Sequence, residues 1–347
     1  MITNLVDEFV TRDIRLDLVL IRADSEHIKS LNQNVNVIKL GAKHSLTSLT
    51  PLVRYLRKYR PSAMLVAKDR AGRVALMARK LAGVDTRIVI RLGTNLSTAL
   101  EGKSSLARWS RYLPMRLIYP WVDKVVAVSE GVKQDTMRIT GLTADKIDVI
   151  RNPVITPRML EMAEAPVDHP WLNEHDRPVI LGVGRMTRQK DFATLIKAFA
   201  RVHQQKPCRL IILGDGRMQE ELEQLAQTLG VHEDLSFPGF AANPYAYMSK
   251  VDLFVLSSRW EGSPNVLTEA MALGTPVVST NCPSGPNEIL QEGRFGKLVA
   301  VEDDEALAGA ITETLDSPMD SAALKEAVRD YTAALSANHY LDVLRAH

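Results

Sequence analysis

Short apolar runs alternate with amphipathic stretches from one end of this 347-residue chain to the other, and that rhythm admits few folds. In the first half, strands are predicted at Leu16–Ile21, Val35–Leu40, Ala63–Ala67, Arg87–Arg91, Lys124–Val128 and Ile147–Ile150. Helices fit at Thr50–Lys58, Ala71–Leu81, Leu106–Tyr119 and Gly131–Ile139. Thr50 is a good cap and Pro51 a good first helical residue, since a helix start has no use for the N–H that proline lacks. The second half repeats the pattern, with strands near 178, 209, 235, 252, 277 and 297. Strands separated by helices of this length run parallel and are covered on both faces. The prediction is therefore an α/β chain of two Rossmann-like doubly wound domains facing a cleft. The boundaries expected are a first domain over 1–155, a Pro-rich, acidic linker over 156–176 and a second domain over 177–330. Ser321–His347 should be helical, with 331–347 crossing back to the first domain. In such folds ligands sit at the carboxyl ends of the strands.

Composition narrows the function classes. With 46% hydrophobic and 24% charged residues this is an ordinary globular chain. Cys208 in a strand and Cys282 in a loop give neither a disulfide framework nor a metal-ligand spacing, which fits a reducing compartment. No apolar run reaches the length of a membrane span and no signal-peptide pattern opens the chain, so a cytoplasmic protein is expected. The near-neutral total hides an asymmetry. Residues 1–150 hold 25 Lys and Arg against 14 Asp and Glu, net +11, which leaves net −9 for the rest. A basic first domain suits anionic lipid or nucleic acid. Lys103, Arg108, Arg111 and Arg116, interleaved with Leu106, Trp109, Tyr112 and Leu113, suit a helix lying on anionic headgroups. The bland alternatives are solvated basic faces and a helix with an apolar core side.

Two charged clusters follow strands in the second half. Glu261 and Glu269 stand eight positions apart, the first on a strand-to-helix loop and the second inside the helix Val266–Leu273. Ser263 is a good N-cap and Pro264 a good first helical residue, so the unpaired amides of a helix start lie between the acids, a ready anion site. Carboxylates that accept hydroxyl hydrogens beside amides that hold phosphate make the recognition chemistry of a nucleotide sugar. Arg185 and Lys190 follow the strand and glycine turn Val179-Ile180-Leu181-Gly182-Val183-Gly184 and precede the helix Phe192–Val202. Arg forks onto phosphate oxygens and Lys offers a compact charge, a second anion cradle. The bland reading of either cluster is surface charge beside a turn. Gly182-Val183-Gly184 and Gly214-Asp215-Gly216 lack the third glycine of a dinucleotide fingerprint and read as tight turns.

On these residues the chain resembles the retaining glycosyltransferases of family 4, of the two-lobed GT-B fold and the bacterial polysaccharide and lipopolysaccharide type. The resemblance rests on Gly184-Arg185 with Lys190, on Glu261 and Glu269, on Gly274-Thr275-Pro276-Val277-Val278 and on Gly239-Phe240. Val128-Ser129-Glu130-Gly131 and Asn152-Pro153-Val154 match more weakly. The resemblance implies that Arg185, Lys190 and Glu261 are catalytic: the cations neutralise the departing diphosphate, and Glu261 holds hydroxyls of the donor sugar. It implies binding roles for Gly184, for Gly239 and Phe240 at the base, and for Glu269 at the ribose diol. The backbone of Ser263, Pro264, Asn265, Val266 and Leu267 would meet sugar and phosphate. Neither cofactor nor metal is implied, in keeping with the lack of an Asp-x-Asp motif. Cys282-Pro283-Ser284-Gly285-Pro286-Asn287-Glu288-Ile289 resembles the segment of relatives that use UDP-linked hexoses or N-acetylhexosamines, so UDP is the favoured nucleotide. The implied partners are that donor and a glycan or polyprenyl-linked acceptor on the first domain, and the basic charge of the first domain adds an anionic surface on the inner face of the plasma membrane. Nucleic acid is not among them.

The chain departs from the pattern twice. Relatives often carry a His after the fourth strand, where this chain has Arg91-Leu92-Gly93-Thr94-Asn95, so Arg91, Thr94 or Asn95 is the candidate for contact with the acceptor or with the developing charge. His44, His169 and His232 read as loop or surface residues. Relatives also open with a strand and a glycine-rich turn, whereas here Asn4–Thr11 reads as a helix leading into Leu16–Ile21. A misplaced start, a truncated gene or another segment in the sheet would each account for this, and a missing central strand would leave pairing edges exposed. Two alternatives follow: a nucleotide-sugar epimerase of the same fold, and a nucleotide-sugar-binding protein without catalysis.

Overall fold

In the computed structural model, which describes residues 1–21, 35–174 and 176–345, the chain divides into two compact units. The first takes in Met1–Pro153 and Thr332–His347; the second is Val154–Tyr331. The first unit begins with α1 (Ile2–Val10), β1 (Asp17–Leu20) and β2 (Asn36–Lys39). It continues with α2 (Leu49–Tyr59), β3 (Ala63–Ala67), α3 (Asp69–Ala82), β4 (Arg87–Leu92) and α4 (Leu96–Ala99). Then come α5 (Ser105–Ile118), β5 (Lys124–Ala127), α6 (Glu130–Thr140) and β6 (Ile147–Val149). Four parallel strands in the order β3-β4-β5-β6 make one sheet, while β1 and β2 pair in parallel as a separate two-stranded sheet. Side chains along the larger sheet alternate between two cores, as the period of a strand requires. Ile88, Ile90, Val125 and Ala127 pack with Leu56 of α2 and Val74 of α3, whereas Val89 and Val126 pack with Leu5 and Phe9 of α1.

The second unit runs through α7 (Pro157–Ala163), α8 (Pro170–Glu174), β7 (Val179–Val183), α9 (Phe192–Gln205), β8 (Arg209–Leu213) and α10 (Gln219–Thr228). It continues with β9 (Leu235–Gly239), α11 (Pro244–Met248), β10 (Leu253–Leu256), α12 (Asn265–Leu273) and β11 (Val277–Thr280). α13 (Pro286–Ile289), β12 (Lys297–Val299), α14 (Asp304–Asp316) and α15 (Ser321–Ala327) complete it. All six strands join one parallel sheet in the order β12-β11-β10-β7-β8-β9. Val179, Ile180 and Leu181 of β7 are all buried, so this strand reads as a continuous apolar run rather than an alternation. Leu195 and Phe199 of α9 and Leu307 and Ile311 of α14 share a core with Ile180 and Leu210. Truncating one such buried leucine to alanine costs about 2–5 kcal/mol. Strand order switches at β7, with β8 on one side and β10 on the other, and such a switch opens a crevice at the carboxyl ends. The last helix, α16 (Ala333–Arg345), belongs to the first unit, where Ala337 and Tyr340 join Val89 and Val126.

The six strands expected in the first half all form, with ends shifted by at most one residue. Two expectations need correction. The segment 156–176 is not a linker: the Thr156 hydroxyl caps α7, Pro157 opens it, and Met159, Ala163, Val167 and Leu172 are buried. Pro157 and Pro170 start helices instead of spacing domains. His169 is not a surface residue but is buried against Trp171 and Tyr247, 3.2 Å from the Ser236 hydroxyl. Burial, more than the nearby Arg209, lowers its pKa, so the ring is neutral at pH 7. The two-domain α/β fold with parallel sheets is as expected, and among the described residues of the first unit β1 and β3 do not pair.

Candidate active site

The carboxyl ends of four adjacent strands, β9, β8, β7 and β10, carry the residues singled out in the sequence. β7 runs into Gly184, at φ 156°, where an added Cβ would lie 2.9 Å from the Lys190 side chain. Glycine there lets residues 185–190 fold back over the strand end. A Cβ on Gly214 would collide with the Gly184 carbonyl oxygen, and the Gly214 N–H donates to the Gly239 carbonyl at 2.8 Å. The two glycine turns are thus packed on each other, which is why neither needs the spacing of a dinucleotide site.

Lys190 and Glu261 meet. The Lys190 ammonium lies 2.7 Å from Oε1 of Glu261, which also accepts the Ser258 hydroxyl at 2.8 Å. Behind them two loops are joined by backbone and side-chain bonds. The Ser257 hydroxyl donates to the Lys190 carbonyl at 2.8 Å, the Arg259 N–H to the Gln189 carbonyl at 2.8 Å, and the Gln189 amide to the Trp260 carbonyl at 2.9 Å. Arg259 also pairs with Asp191 at 3.1 Å, and Asp191 holds the Thr194 hydroxyl at 2.8 Å. Asp191 sits at φ 50°, in the left-handed region that, after glycine, aspartate and asparagine adopt most readily. Gln189, Asp191, Ser258 and Arg259 carried no signal in the sequence beyond adjacency to the chosen residues. Their part depends on which loops become neighbours.

The start of α12 differs from expectation by one residue. Pro264 occupies the cap position and Asn265 is first in the helix, so Ser263 is not the cap. The Pro264 carbonyl accepts the amides of Leu267 at 3.2 Å and Thr268 at 3.4 Å. The Leu267 N–H is therefore already engaged and its side chain is in the core, which removes it from the expected ligand-binding backbone. Val266 keeps the expected place, since its own i−4 position lies ahead of the helix. The loop after β11 supports this turn: the Glu261 N–H donates to the Pro283 carbonyl at 3.4 Å, and a Cβ on Gly285 would lie 2.6 Å from Pro264. Burial, then the charge of Glu261, pushes the Cys282 thiol up to about 12, which keeps it inert.

Glu269 keeps part of its surface exposed, yet burial raises its carboxyl to about 7, against a smaller opposing pull from Lys190. Burial and the charge of Glu269 together lift the Tyr245 hydroxyl to about 12. Arg185 is exposed and has no acid partner among the described residues. Phe240 is 78% exposed, so its ring takes no part in the core. The structure thus joins Lys190 to Glu261 by a bond and to Glu269 by charge, and leaves Arg185 unbonded to any of them. Among the described residues no group of three or more His, Cys, Asp or Glu is placed to hold a metal ion.

The candidates of the first unit have other work. Arg91 donates to Asn152 at 2.8 Å and lies beside the buried Tyr340, while Asn95 is buried and caps α4 by accepting the Thr98 N–H at 3.2 Å. Both side chains are engaged within the fold, against the expectation of acceptor contact. On α5 Met115 is buried in the core with Tyr112 and Ile118 packed beside it, so the helix does turn an apolar side inward, while Leu106, Trp109 and Leu117 on the rest of its surface are 74%, 58% and 62% exposed. Arg108 is exposed among them, whereas Arg111 pairs with Asp69 at 3.2 Å. Among the described residues no helix is long and apolar enough to cross a membrane.

The family described as Glycosyl transferase 4-like domain matches residues 1–153, and that described as Glycosyl transferases group 1 matches residues 167–331. Both units of this chain are glycosyltransferase domains. The chain is 31% identical over 248 residues to an N-acetylgalactosamine-N,N'-diacetylbacillosaminyl-diphospho-undecaprenol 4-alpha-N-acetylgalactosaminyltransferase of Campylobacter jejuni, covering 72% of this chain and 65% of that protein. It is 35% identical over 215 residues to the lipopolysaccharide core biosynthesis glycosyltransferase LpsE of Rhizobium meliloti, covering 61% and 60%. The chain therefore matches just under two thirds of the length of these relatives. Its fold is similar to that of Anabaena HepE in complex with UDP, with a TM-score of 0.77 at 21% identity over 99% of this chain and 96% of that one. The apo lipopolysaccharide outer core galactosyltransferase WaaB gives 0.73 at 20% identity over 99% and 93%. The architecture is the two-domain GT-B fold.

Proposed function

We propose that this chain is a retaining glycosyltransferase of family 4. It moves a hexose or N-acetylhexosamine from a nucleotide-diphosphate sugar, UDP favoured, to a lipid-linked or polysaccharide acceptor in surface glycan biosynthesis. The donor binds the second unit and the acceptor the first. The reading is carried by the bond between Lys190 and Glu261 at 2.7 Å, ahead of α12 and Glu269. Each charge satisfies the other while no donor is bound. An entering diphosphate takes Lys190, and Glu261 turns to the hydroxyls of the donor sugar. The exposed Arg185 supplies the second cation, Glu269 the acceptor for the ribose diol, and Phe240 a ring at the base. Positive charge fixed against the diphosphate stabilises the charge that grows there as the glycosidic bond breaks. A diphosphate oxygen takes the proton of the acceptor hydroxyl as it attacks the same face of the sugar, which keeps the anomeric configuration. With two cations at the leaving group, the chemistry needs no resident metal.

The names of similar proteins support the substrate classes: one acts on a diphospho-undecaprenol glycan, and another was seen in complex with UDP. The exposed Leu106, Trp109 and Leu117 beside Arg108 support a peripheral place on the inner face of the plasma membrane. A thermal-shift screen of nucleotide sugars, followed by transfer and hydrolysis assays with the best ligand, tests the activity. Binding with neither transfer nor hydrolysis would make this a binding protein, and conversion of the donor's sugar without acceptor would make it an epimerase. Salt-sensitive flotation on anionic liposomes is the expected result for the membrane surface.

A further inference from the structure

Lys190 and Glu261 stand on different loops, one after β7 and one after β10, so the spacing of those loops is part of the site. Behind the bond between the two side chains, three ties use the backbone carbonyls of Gln189, Lys190 and Trp260. A fourth is made by side chains alone. Arg259 lies two residues before Glu261, and Asp191 directly follows Lys190. The guanidinium meets the carboxylate at 3.1 Å and 3.3 Å.

Three observations set this pair apart from an ordinary stabilising contact. Asp191 occupies the cap position of α9, yet its carboxylate makes no capping bond to the helix amides. It is given instead to the Thr194 hydroxyl and to Arg259. Asp191 is also buried, and a buried ion pair loses in hydration about what it gains in attraction. Such a pair adds little stability, but the planar fork of an arginine fixes direction and distance. Finally, the fork is incomplete. Nε of Arg259 is buried 3.1 Å from Oδ2 of Asp191 but out of line with it, and has no hydrogen bond among the described residues. A buried donor left in this state is costly, and a small approach of the two loops would pair it. Hydrogen bonds around catalytic sites are often poorly aligned in the ligand-free state and tighten with substrate. On its other side Arg259 is anchored by Glu302, at 2.6 Å, from the loop after β12.

We propose, on the reading that Lys190 and Glu261 hold the donor, that Arg259 and Asp191 are positioning residues for transfer. Their pairing sets the distance from the ammonium that meets the diphosphate to the carboxylate that meets the sugar. Donor entry breaks the bond between Lys190 and Glu261, and the pair behind it then keeps the two loops in register. As the loops draw onto the donor, Nε of Arg259 comes into line with Asp191. A displacement of about 1 Å between reacting groups can cost ~100-fold in rate, so the spacing acts on the chemical step more than on binding.

Steady-state kinetics of Asp191→Asn, Arg259→Gln and the double variant test this, with the nucleotide sugar that the native chain turns over best. Asparagine tolerates the left-handed backbone and keeps an oxygen for Thr194 while removing the charge. Each single variant should lower kcat by about 10–100-fold with donor KM within about threefold of native. The double variant should be no slower than the slower single, because either change removes the same contact. Glu302→Gln, at a half-exposed position, should keep kcat within about twofold. Native kcat in both single variants overturns the proposal, as does a double variant slowed by the product of the two factors. A kcat lost only together with the folded circular-dichroism spectrum would make the pair structural and overturn it too. Absence of turnover by the native chain on every nucleotide sugar is a different failure: it removes the donor reading itself, and the positioning role with it.

Discussion

Strand ends in the two units carry similar charged residues and use them differently. At the end of β4, Arg91 is engaged by Asn152, and at the end of β3, Asp69 takes both Arg73 at 2.9 Å and Arg111 at 3.2 Å. Asp135 of α6 accepts the Leu96 N–H at 2.7 Å and so holds the start of α4. In the second unit Lys190 and Glu261 hold each other with side chains 18% and 11% exposed, and Arg185 reaches solvent without an acid partner among the described residues. A charge at a strand end becomes a binding group only when it can change partners without unmaking the core. The ion pair of the second unit can do so. Arg91, held between a strand and α16, cannot.

The largest effects that test this contrast lie in the second unit. Glu261→Ala and Arg185→Ala should each remove about 2–4 kcal/mol of transition-state stabilisation, ~30–1,000-fold in kcat/KM, with the fold retained by circular dichroism. Turnover at the native rate in either variant breaks the contrast. Arg91→Ala should show the reverse: a loss of about 1–3 kcal/mol in urea unfolding with unchanged donor affinity. A fall in transfer without loss of stability would return Arg91 to the acceptor site.

A third effect depends on pH. The Glu269 carboxyl is raised to about 7 in the folded chain from an ordinary value of 4.5. The folded state therefore binds this proton more tightly than the unfolded state. The stability it contributes is complete below about pH 4.5 and is lost as pH rises through 7. Glu269→Gln should be more stable than the parent at pH 8, by about 1–3 kcal/mol after allowance for its partial exposure, and the difference should vanish toward pH 5. Donor affinity has the opposite sign. The carboxylate is the form that accepts a diol, so binding by the parent should weaken as pH falls below 7, and binding by the variant should be weak and flat. A parent affinity independent of pH from 6 to 8 would remove Glu269 from the ribose. The smallest effect belongs to Phe240→Ala, about 0.5–1.5 kcal/mol or ~2–12-fold in nucleotide Kd, with Tm unchanged because the ring is exposed.

Much of this was legible before any coordinates. Apolar runs and their helical spacers located every strand of the first half, because periodicity is written within a few neighbouring residues. Residue chemistry alone selected Lys190 and Glu261. The linker was misread because Thr156-Pro157 starts a helix as readily as a tether, and only the burial of Met159 and Leu172 distinguishes the two. Leu267 was misjudged because proline at the cap moved the helix start by one residue and engaged an amide counted as open.

By itself, then, the amino-acid order determined the alternating elements, the glycine turns and which side chains could bind an anion. Tertiary structure alone decided that Lys190 meets Glu261, 71 residues away, that Phe240 faces solvent, and that β1 pairs with β2 and not, among the described residues, with β3. Those facts depend on strand order, which places β7 beside β10 and, among the described residues, pairs β3 with β4 alone. Strand order is set by the packing of whole layers, and no short stretch of sequence encodes it.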